Sequence, residues 1–157
     1  MKYVDAKVVF REVPDELTLA ISISNCPLKC LGCHSSYLTQ DIGEAFDFAT
    51  VKKLVESNPG ITCIAFMGGD AEPEYVAHLS GETKKIYPSL KTCWYSGRGL
   101  DAAEPFVEAF DFVKVGPYID EKGPLDMPTT NQRFYAVSEK EGKTVLDDWT
   151  YKFQQKI

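Results

Sequence analysis

The chain joins a strand to a cysteine-rich loop at residues 17–33, where the sequence is LTLAISISNCPLKCLGC. Residues 17–24 nearly alternate between apolar and polar side chains, which predicts a β-strand. The cysteine loop (residues 26–33) follows at once and carries Cys26, Cys30 and Cys33 in the spacing Cys-x3-Cys-x2-Cys. Three thiolates in one short loop are suited to an iron–sulfur cluster. Because a cubane of four irons normally takes four thiolates, three leave one iron open to a small molecule.

The size and composition of the chain are those of one ordinary domain. Its 157 residues fit a single domain, residues 1–157. The net charge of −6 disfavours a nucleic-acid partner or an anionic membrane surface. No apolar run approaches the ~18 residues of a membrane span, and residues 1–7 lack the apolar stretch of a secretion signal. We therefore expect a cytoplasmic protein, and its five cysteines, an odd number, argue against a disulfide framework.

Strand and helix patterns alternate after the cysteine loop. The patterns predict strands at residues 61–67, 90–95 and 112–115, helices at 50–57 and 73–87, and a third helix with Asp101 as its N-cap. This alternation predicts an α/β fold with a mostly parallel sheet. Ligands in such folds bind at the carboxyl ends of the strands, so we expect the cysteine loop and the following strand-end turns to line one pocket.

Gly68, Gly69 and Asp70 form the first of these strand-end turns, here named the Gly-Gly-Asp turn. Two glycines let a ligand approach the backbone closely. Backbone polar groups at a strand end, together with a carboxylate, can hold the ammonium and carboxylate ends of an amino acid. The structural alternative is a tight strand-to-helix turn with Asp70 near the helix N-terminus. Proximity to the cysteine loop favours the ligand-binding interpretation.

The cysteine spacing followed by a Gly-Gly-acidic turn resembles the radical S-adenosylmethionine (SAM) superfamily. The resemblance implies that Cys26, Cys30 and Cys33 hold a 4Fe–4S cluster whose fourth iron binds the amino and carboxylate groups of SAM. It implies that the Gly-Gly-Asp turn contacts the methionine part of SAM. It also implies reductive cleavage of SAM to a 5′-deoxyadenosyl radical, within a shortened, open (β/α) partial barrel that has a lateral mouth.

Residues 20–135 show a narrower resemblance, to the activating proteins of anaerobic (class III) ribonucleoside-triphosphate reductases. The segments that carry it are Cys30 to Cys33, Met67 to Asp70, Trp94 to Gly97, Val113 to Tyr118 and Thr129 to Arg133. The implied reaction removes hydrogen from a glycine of the large reductase subunit, and the cluster and SAM carry the chemistry without a catalytic side chain. A one-electron donor such as flavodoxin is implied as a second partner. Ser96 is implied to contact the SAM ribose, and Asn131 and Arg133 to contact SAM or the partner.

The chain departs from the pattern of these proteins at two positions near the implied site. Val115 stands where the activating proteins often have Asp, so a role carried by that carboxylate does not transfer to this chain. Ala71 stands where Pro often follows the Gly-Gly-acidic turn.

Two other functions are compatible with the same residues. One is a different small radical SAM enzyme that acts on a small molecule. The other is a non-catalytic zinc-binding interaction module in which His34 joins the three loop cysteines, although adjacent side chains such as Cys33 and His34 seldom converge on one tetrahedral ion. Cys63 and Cys93 are expected to be core residues. Residues 134–157 have no predicted role beyond two short strands.

Overall fold

The computed structural model describes residues 1–33 and 35–154. Its strands β1 to β8 are Lys2–Val9, Thr18–Ile23, Glu44–Ala45, Cys63–Met67, Lys91–Tyr95, Phe112–Val115, Arg133–Lys140 and Lys143–Asp148. Its α-helices α1 to α3 are Phe48–Ser57, Pro73–Ile86 and Leu100–Ala103. Short 3-10 helices lie at Ser36–Thr39, Glu104–Ala109 and Thr150–Phe153. The predicted α/β alternation of the central segment is therefore confirmed.

All of these strands belong to one mixed sheet in the order β3-β1-β2-β4-β5-β6-β7-β8. The central pairs β2–β4, β4–β5 and β5–β6 are parallel, because a helical crossover connects each pair. The outer pairs are antiparallel. Only the central strands are parallel as predicted, because the segments before β2 and after β6 and the short strand β3 add antiparallel pairs. The turn between β7 and β8 is the two-residue Glu141-Gly142 hairpin with positive φ at both positions.

The third predicted helix is shorter than expected and starts two residues earlier. Gly99, with an extended backbone, occupies the N-cap position of α3, so Asp101 lies in the first turn and is not the cap. Pro105 lacks an N–H group and so cannot bond to the Asp101 carbonyl, which prevents an α-helix from continuing. The chain goes on instead as a 3-10 helix.

The helices cover one face of the sheet and enclose the larger apolar core. Asp47 caps α1 by accepting the Thr50 N–H at 2.9 Å. The predicted apolar face of α1, with Val51, Leu54 and Val55, packs into this core. The buried core side chains on this face include Leu19, Ile21, Ile23, Ile64, Phe66, Val76, Leu79, Trp94, Phe110 and Val113. No helix in the described ranges is long and apolar enough to span a bilayer.

The C-terminal segment contributes to the opposite face of the sheet. Buried side chains on this face include Val13, Cys63, Ala65, Cys93, Phe112, Leu125 and Phe134. Trp149 and Phe153 pack against them, and the ring centroids of Phe134 and Phe153 are 4.9 Å apart. Lys152 stabilises the segment by stacking on Trp149, with its Nζ 3.6 Å from the ring centroid. Residues 133–154 thus supply two strands and an aromatic cover for the sheet.

Candidate functional site

Three loops meet at one edge of the sheet, because the parallel strands β2, β4 and β5 all end there. These are the cysteine loop, the Gly-Gly-Asp turn and the serine turn (residues 96–97). The N–H of Gly68 donates to the Tyr95 carbonyl oxygen at 3.0 Å and so links the last two. A Cβ added at Gly97 would collide with the Leu28 side chain, so the cysteine loop lies directly against the serine turn. The structure brings together the loops that the sequence placed at one edge.

One backbone hydrogen bond anchors the start of the cysteine loop, and another forms a turn within it. The N–H of Cys26 donates to the Leu38 carbonyl oxygen at 2.8 Å. The N–H of Cys33 donates to the Cys30 carbonyl oxygen at 3.2 Å, which forms a turn. Gly32, between these two cysteines, has a φ of 78°, a left-handed conformation that glycine adopts without a steric penalty.

The three loop cysteines are free and partly exposed. Burial raises the pKa of the Cys26 thiol above its ordinary value, because a low-dielectric environment disfavours the thiolate. The negative charges of Asp70 and Cys30 raise this pKa further, whereas the backbone N–H groups of Leu28 and Lys29 lower it.

The chemistry of these thiols fits an iron–sulfur cluster, since free cysteines lose a proton when they bind iron and then act as thiolate ligands. Among residues 1–33 and 35–154, no three or more His, Cys, Asp and Glu side chains are arranged so that they could hold a metal ion. His34, the fourth ligand of the zinc hypothesis, lies outside the described residues. Cluster binding would therefore draw the loop sulfur atoms toward a common centre, as metal binding and local folding are coupled.

Asp70 connects the Gly-Gly-Asp turn to the serine turn. Its side chain is 2% exposed. Its Oδ1 accepts the Ser96 hydroxyl at 2.5 Å and its Oδ2 accepts the Gly97 N–H at 3.0 Å. Arg98 adds an ion pair, with its Nε 3.6 Å from Oδ1, and donates to the Asp70 backbone carbonyl. A carboxylate has about four acceptor positions, so Asp70 can still accept a hydrogen bond from a ligand ammonium.

The two glycines of the Gly-Gly-Asp turn are also needed by the fold. Gly68 and Gly69 have φ values of 119° and 89°, in a region that side chains with a Cβ rarely enter. A Cβ added at Gly69 would collide with Val76 of α2. The N-cap of α2 is Glu72, so Asp70 lies just before the cap and near the helix N-terminus, as the structural alternative also expects.

Ser96 and Asn131, the other predicted SAM contacts, differ in what they can offer a ligand. Ser96 is buried, and its hydroxyl donates to Asp70 while accepting the Arg98 N–H at 3.0 Å. Asn131 donates from Nδ2 to the Pro117 carbonyl at 3.0 Å, beyond the end of β6. Its Oδ1 is buried and has no hydrogen-bond partner in the described part of the chain. Asn131 therefore retains an acceptor for a ligand, whereas the Ser96 hydroxyl is already engaged within the protein.

Sequence reasoning missed Arg98 and Lys114. Arg98 neutralises the buried Asp70 carboxylate. Lys114 donates from Nζ to the backbone carbonyl oxygens of Ser96 and Gly116, at 3.3 and 3.2 Å. The signal available in the sequence was a single lysine within the apolar strand Phe112–Val115, which indicates either a sheet edge or a specific partner.

Cys63 and Cys93 are core residues, as predicted. Both are fully buried on the face of the sheet that carries the C-terminal cover. Burial raises the pKa of Cys63 to about 12 and that of Cys93 well above its ordinary value. Neither thiol is therefore ionised near neutral pH, and full burial distinguishes both from the partly exposed loop cysteines.

An α/β sheet that presents a three-cysteine loop at the carboxyl edge of its parallel strands has the features of an iron–sulfur protein. A family model described as the 4Fe-4S single cluster domain matches residues 17–135, which is more than half of the chain. The chain therefore belongs to this family, and its cofactor is a 4Fe–4S cluster. No curated protein and no solved structure matches the chain significantly.

Proposed function

We propose that this protein is a radical SAM enzyme that activates a glycyl-radical enzyme, the anaerobic ribonucleoside-triphosphate reductase. The observation that carries the proposal is the direct association of the cysteine loop with the Gly-Gly-Asp turn and the serine turn. Leu28 packs against Gly97, and the Gly97 N–H donates to the Asp70 carboxylate. A cluster held by the loop would lie beside polar groups suited to the amino-acid end of SAM.

Each part of the site has a distinct task in this proposal. Cys26, Cys30 and Cys33 hold the cluster, and the Gly-Gly-Asp turn holds the methionine end of SAM, where Asp70 accepts from the ammonium. If both groups were bound, the cluster would supply the electron for reductive cleavage of SAM to methionine and a 5′-deoxyadenosyl radical, and that radical would take hydrogen from a glycine of the partner. The buried Oδ1 of Asn131 supplies one further acceptor for SAM.

The surroundings of the cysteine loop are consistent with a protein substrate. Leu31, within the loop, is 89% exposed, and Tyr37, which follows it, is 43% exposed. Large exposed apolar side chains beside a reactive centre favour contact with another protein. We propose the glycine-bearing segment of the large reductase subunit as that partner, within an open partial barrel, and a one-electron donor such as flavodoxin as the reductant.

The first experiment tests cluster binding and SAM cleavage. The protein is reconstituted anaerobically with iron and sulfide, mixed with SAM and dithionite, and analysed for 5′-deoxyadenosine by chromatography. We expect a brown protein that forms this product, and we expect the Cys30→Ala variant to lose both properties. Cys63→Ala, which removes a core cysteine, is the matched control and should retain them. SAM cleavage by the Cys30→Ala variant would contradict the ligand assignment, and a colourless wild type that holds zinc would contradict the proposal.

The second experiment tests the partner. The reconstituted protein is incubated with SAM, a reductant and the large subunit of a class III reductase, and the electron paramagnetic resonance (EPR) spectrum is recorded. A glycyl-radical doublet is the expected result, and it should be absent with the Cys30→Ala variant. SAM cleavage without this doublet would favour an enzyme that acts on a small molecule.

A further inference from the structure

Lys114 is a charged residue on an otherwise apolar strand. The other residues of β6, Phe112, Val113 and Val115, are buried, and Lys114 itself is partly buried. Strand register aligns Lys114 with Tyr95 of β5 and, through it, with Met67 of β4. Side chains in one register row lie on the same face of a sheet, and Met67 and Tyr95 pack on the face with the C-terminal cover. Lys114 therefore lies on that face, at the edge where the candidate site forms.

Hydrogen bonds hold the Lys114 ammonium between two strand-end turns. Nζ donates to the carbonyl oxygen of Ser96, in the serine turn after β5, at 3.3 Å. It also donates to the carbonyl oxygen of Gly116, directly after β6, at 3.2 Å. The Tyr95 ring centroid lies 5.8 Å from Nζ and adds a cation–π contact. The position of the charge is thus set by three groups of the sheet edge.

The cysteine loop rests on segments that follow the same two strands. Leu28 of the loop contacts Gly97 in the serine turn. Gly32 of the loop faces Asp120, which follows β6, since a Cβ added at Gly32 would lie 3.3 Å from the Asp120 carboxylate. The ammonium of Lys114 is therefore anchored at the two strand ends that support the loop.

Burial and nearby negative charge have opposite effects on the pKa of Lys114. Burial lowers its pKa to about 8, whereas the negative charges of Asp70, Cys30 and Cys33 act in the opposite direction. Lys29, inside the cysteine loop, is exposed, so water and salt screen its charge. Screening is weaker for partly buried groups, so less of the electrostatic effect of Lys114 is lost to solvent.

We infer that Lys114 tunes the 4Fe–4S cluster: its ammonium stabilises negative charge at the cluster held by the loop cysteines and raises the reduction potential of that cluster. The inference rests on the cluster-binding part of the proposed function. Reduction transfers one electron from an external one-electron donor to the cluster, and no bond forms or breaks. A fixed positive charge stabilises the reduced, more negative form more than the oxidised form. Lys114 is therefore a positioning residue that acts on the cluster through its charge, without contact to SAM.

The test is a redox titration of the reconstituted protein, followed by EPR of the reduced cluster, with dithionite as reductant and mediator dyes. Lys114→Met should shift the midpoint potential to more negative values. The Lys114→Arg variant keeps the positive charge, so its midpoint potential should stay much nearer to that of the wild type. Lys53→Met, which removes an exposed lysine of α1, is the matched control and should leave the potential unchanged. Iron content and circular dichroism verify that each variant is loaded and folded.

The possible results separate the inference from the proposed function. A loaded Lys114→Met protein with the wild-type potential would overturn the inference alone. If this variant does not fold, Lys114→Gln is titrated instead, and the same criterion applies to it. A Lys114→Arg shift as large as that of the neutral variant would also overturn the inference, because the charge would then be irrelevant. A wild type that assembles no 4Fe–4S cluster would overturn the proposed function, and the inference with it.

Discussion

Asp70 has two tasks at the carboxyl edge of the sheet. Its carboxylate accepts hydrogen bonds from Ser96 and Gly97, which lie far from it in the sequence, and it pairs with Arg98. A buried carboxylate requires such partners, because an isolated buried charge is costly. The same bonds hold the Gly-Gly-Asp turn and the serine turn at a fixed separation beside the cysteine loop. Asp70 thus shapes the proposed SAM site in addition to supplying an acceptor.

The five cysteines should divide into two groups by their reactivity. Iodoacetamide at pH 8, applied to the cluster-free protein, should alkylate Cys26, Cys30 and Cys33. It should leave Cys63 and Cys93 unmodified, because the reactive species is the thiolate and burial raises the pKa of Cys63 to about 12. Peptide mass spectrometry locates the adducts.

The same alkylation in guanidinium chloride is the control, and there all five cysteines should react. Raising the pH from 8 to 9 should speed alkylation of Cys26, because its pKa lies above the ordinary thiol value and its thiolate fraction is still rising. Rapid modification of Cys63 in the folded protein would contradict its assignment to the core.

The Gly-Gly-Asp turn and helix α2 constrain each other as elements. The turn passes so close to α2 that Val76 occupies the space beside Gly69. The two positive φ values bring the chain from the buried strand β4 to the N-terminus of α2 within a few residues. Ligand binding is therefore not the sole reason for glycine at these positions.

Gly69→Ala should destabilise the protein by about 1–3 kcal/mol, because it places a Cβ in a left-handed conformation and against Val76. Gly81→Ala is the matched control in α2. No neighbouring atom lies within 4 Å of its added Cβ, and alanine favours a helix interior over glycine by about 0.5–1 kcal/mol. The free energy of unfolding is measured by urea denaturation. Equal stabilities for the two variants would contradict the packing of the turn on α2.

At the scale of the whole molecule, the C-terminal segment completes the sheet. The helical crossovers cover one face only, and the aromatic rings of Trp149 and Phe153 pack on the other. Tyr95, in the same face, donates its hydroxyl to the Glu12 carbonyl, so the connection between β1 and β2 contributes to this cover as well. Segments from both ends of the chain thereby support the face that carries Lys114.

Phe153→Ala should lower the free energy of unfolding by roughly 2 kcal/mol. This loss is smaller than that expected for a fully buried phenylalanine, because Phe153 is partly exposed. Tyr151→Ala, in the same 3-10 helix, removes a ring that is 54% exposed and should change stability by no more than about 0.5 kcal/mol. Urea denaturation monitored by fluorescence gives both values. An unchanged midpoint for Phe153→Ala would show that the cover does not contribute to folding.

Much of the central fold was predictable because its signals are local. Strands β2, β4, β5 and β6 and helices α1 and α2 coincide with the predicted elements, since apolar periodicity expresses directly which side chains are buried. The antiparallel pairing of the outer strands was not predicted, because pairing depends on turns and on contacts between distant segments. Asp101 was misassigned because Gly99 takes the cap position before it.

Local sequence alone established the order of strands and helices, the three-cysteine loop and the Gly-Gly-Asp turn, because each depends on residues that are close neighbours in the chain. Tertiary structure alone established the bonds of Asp70 to the serine turn, the buried surroundings of Lys114 and the aromatic cover from the C-terminal segment. Those features join residues that are far apart in sequence. The physical reason is that strand register and packing determine which distant groups meet, and no short segment carries that information.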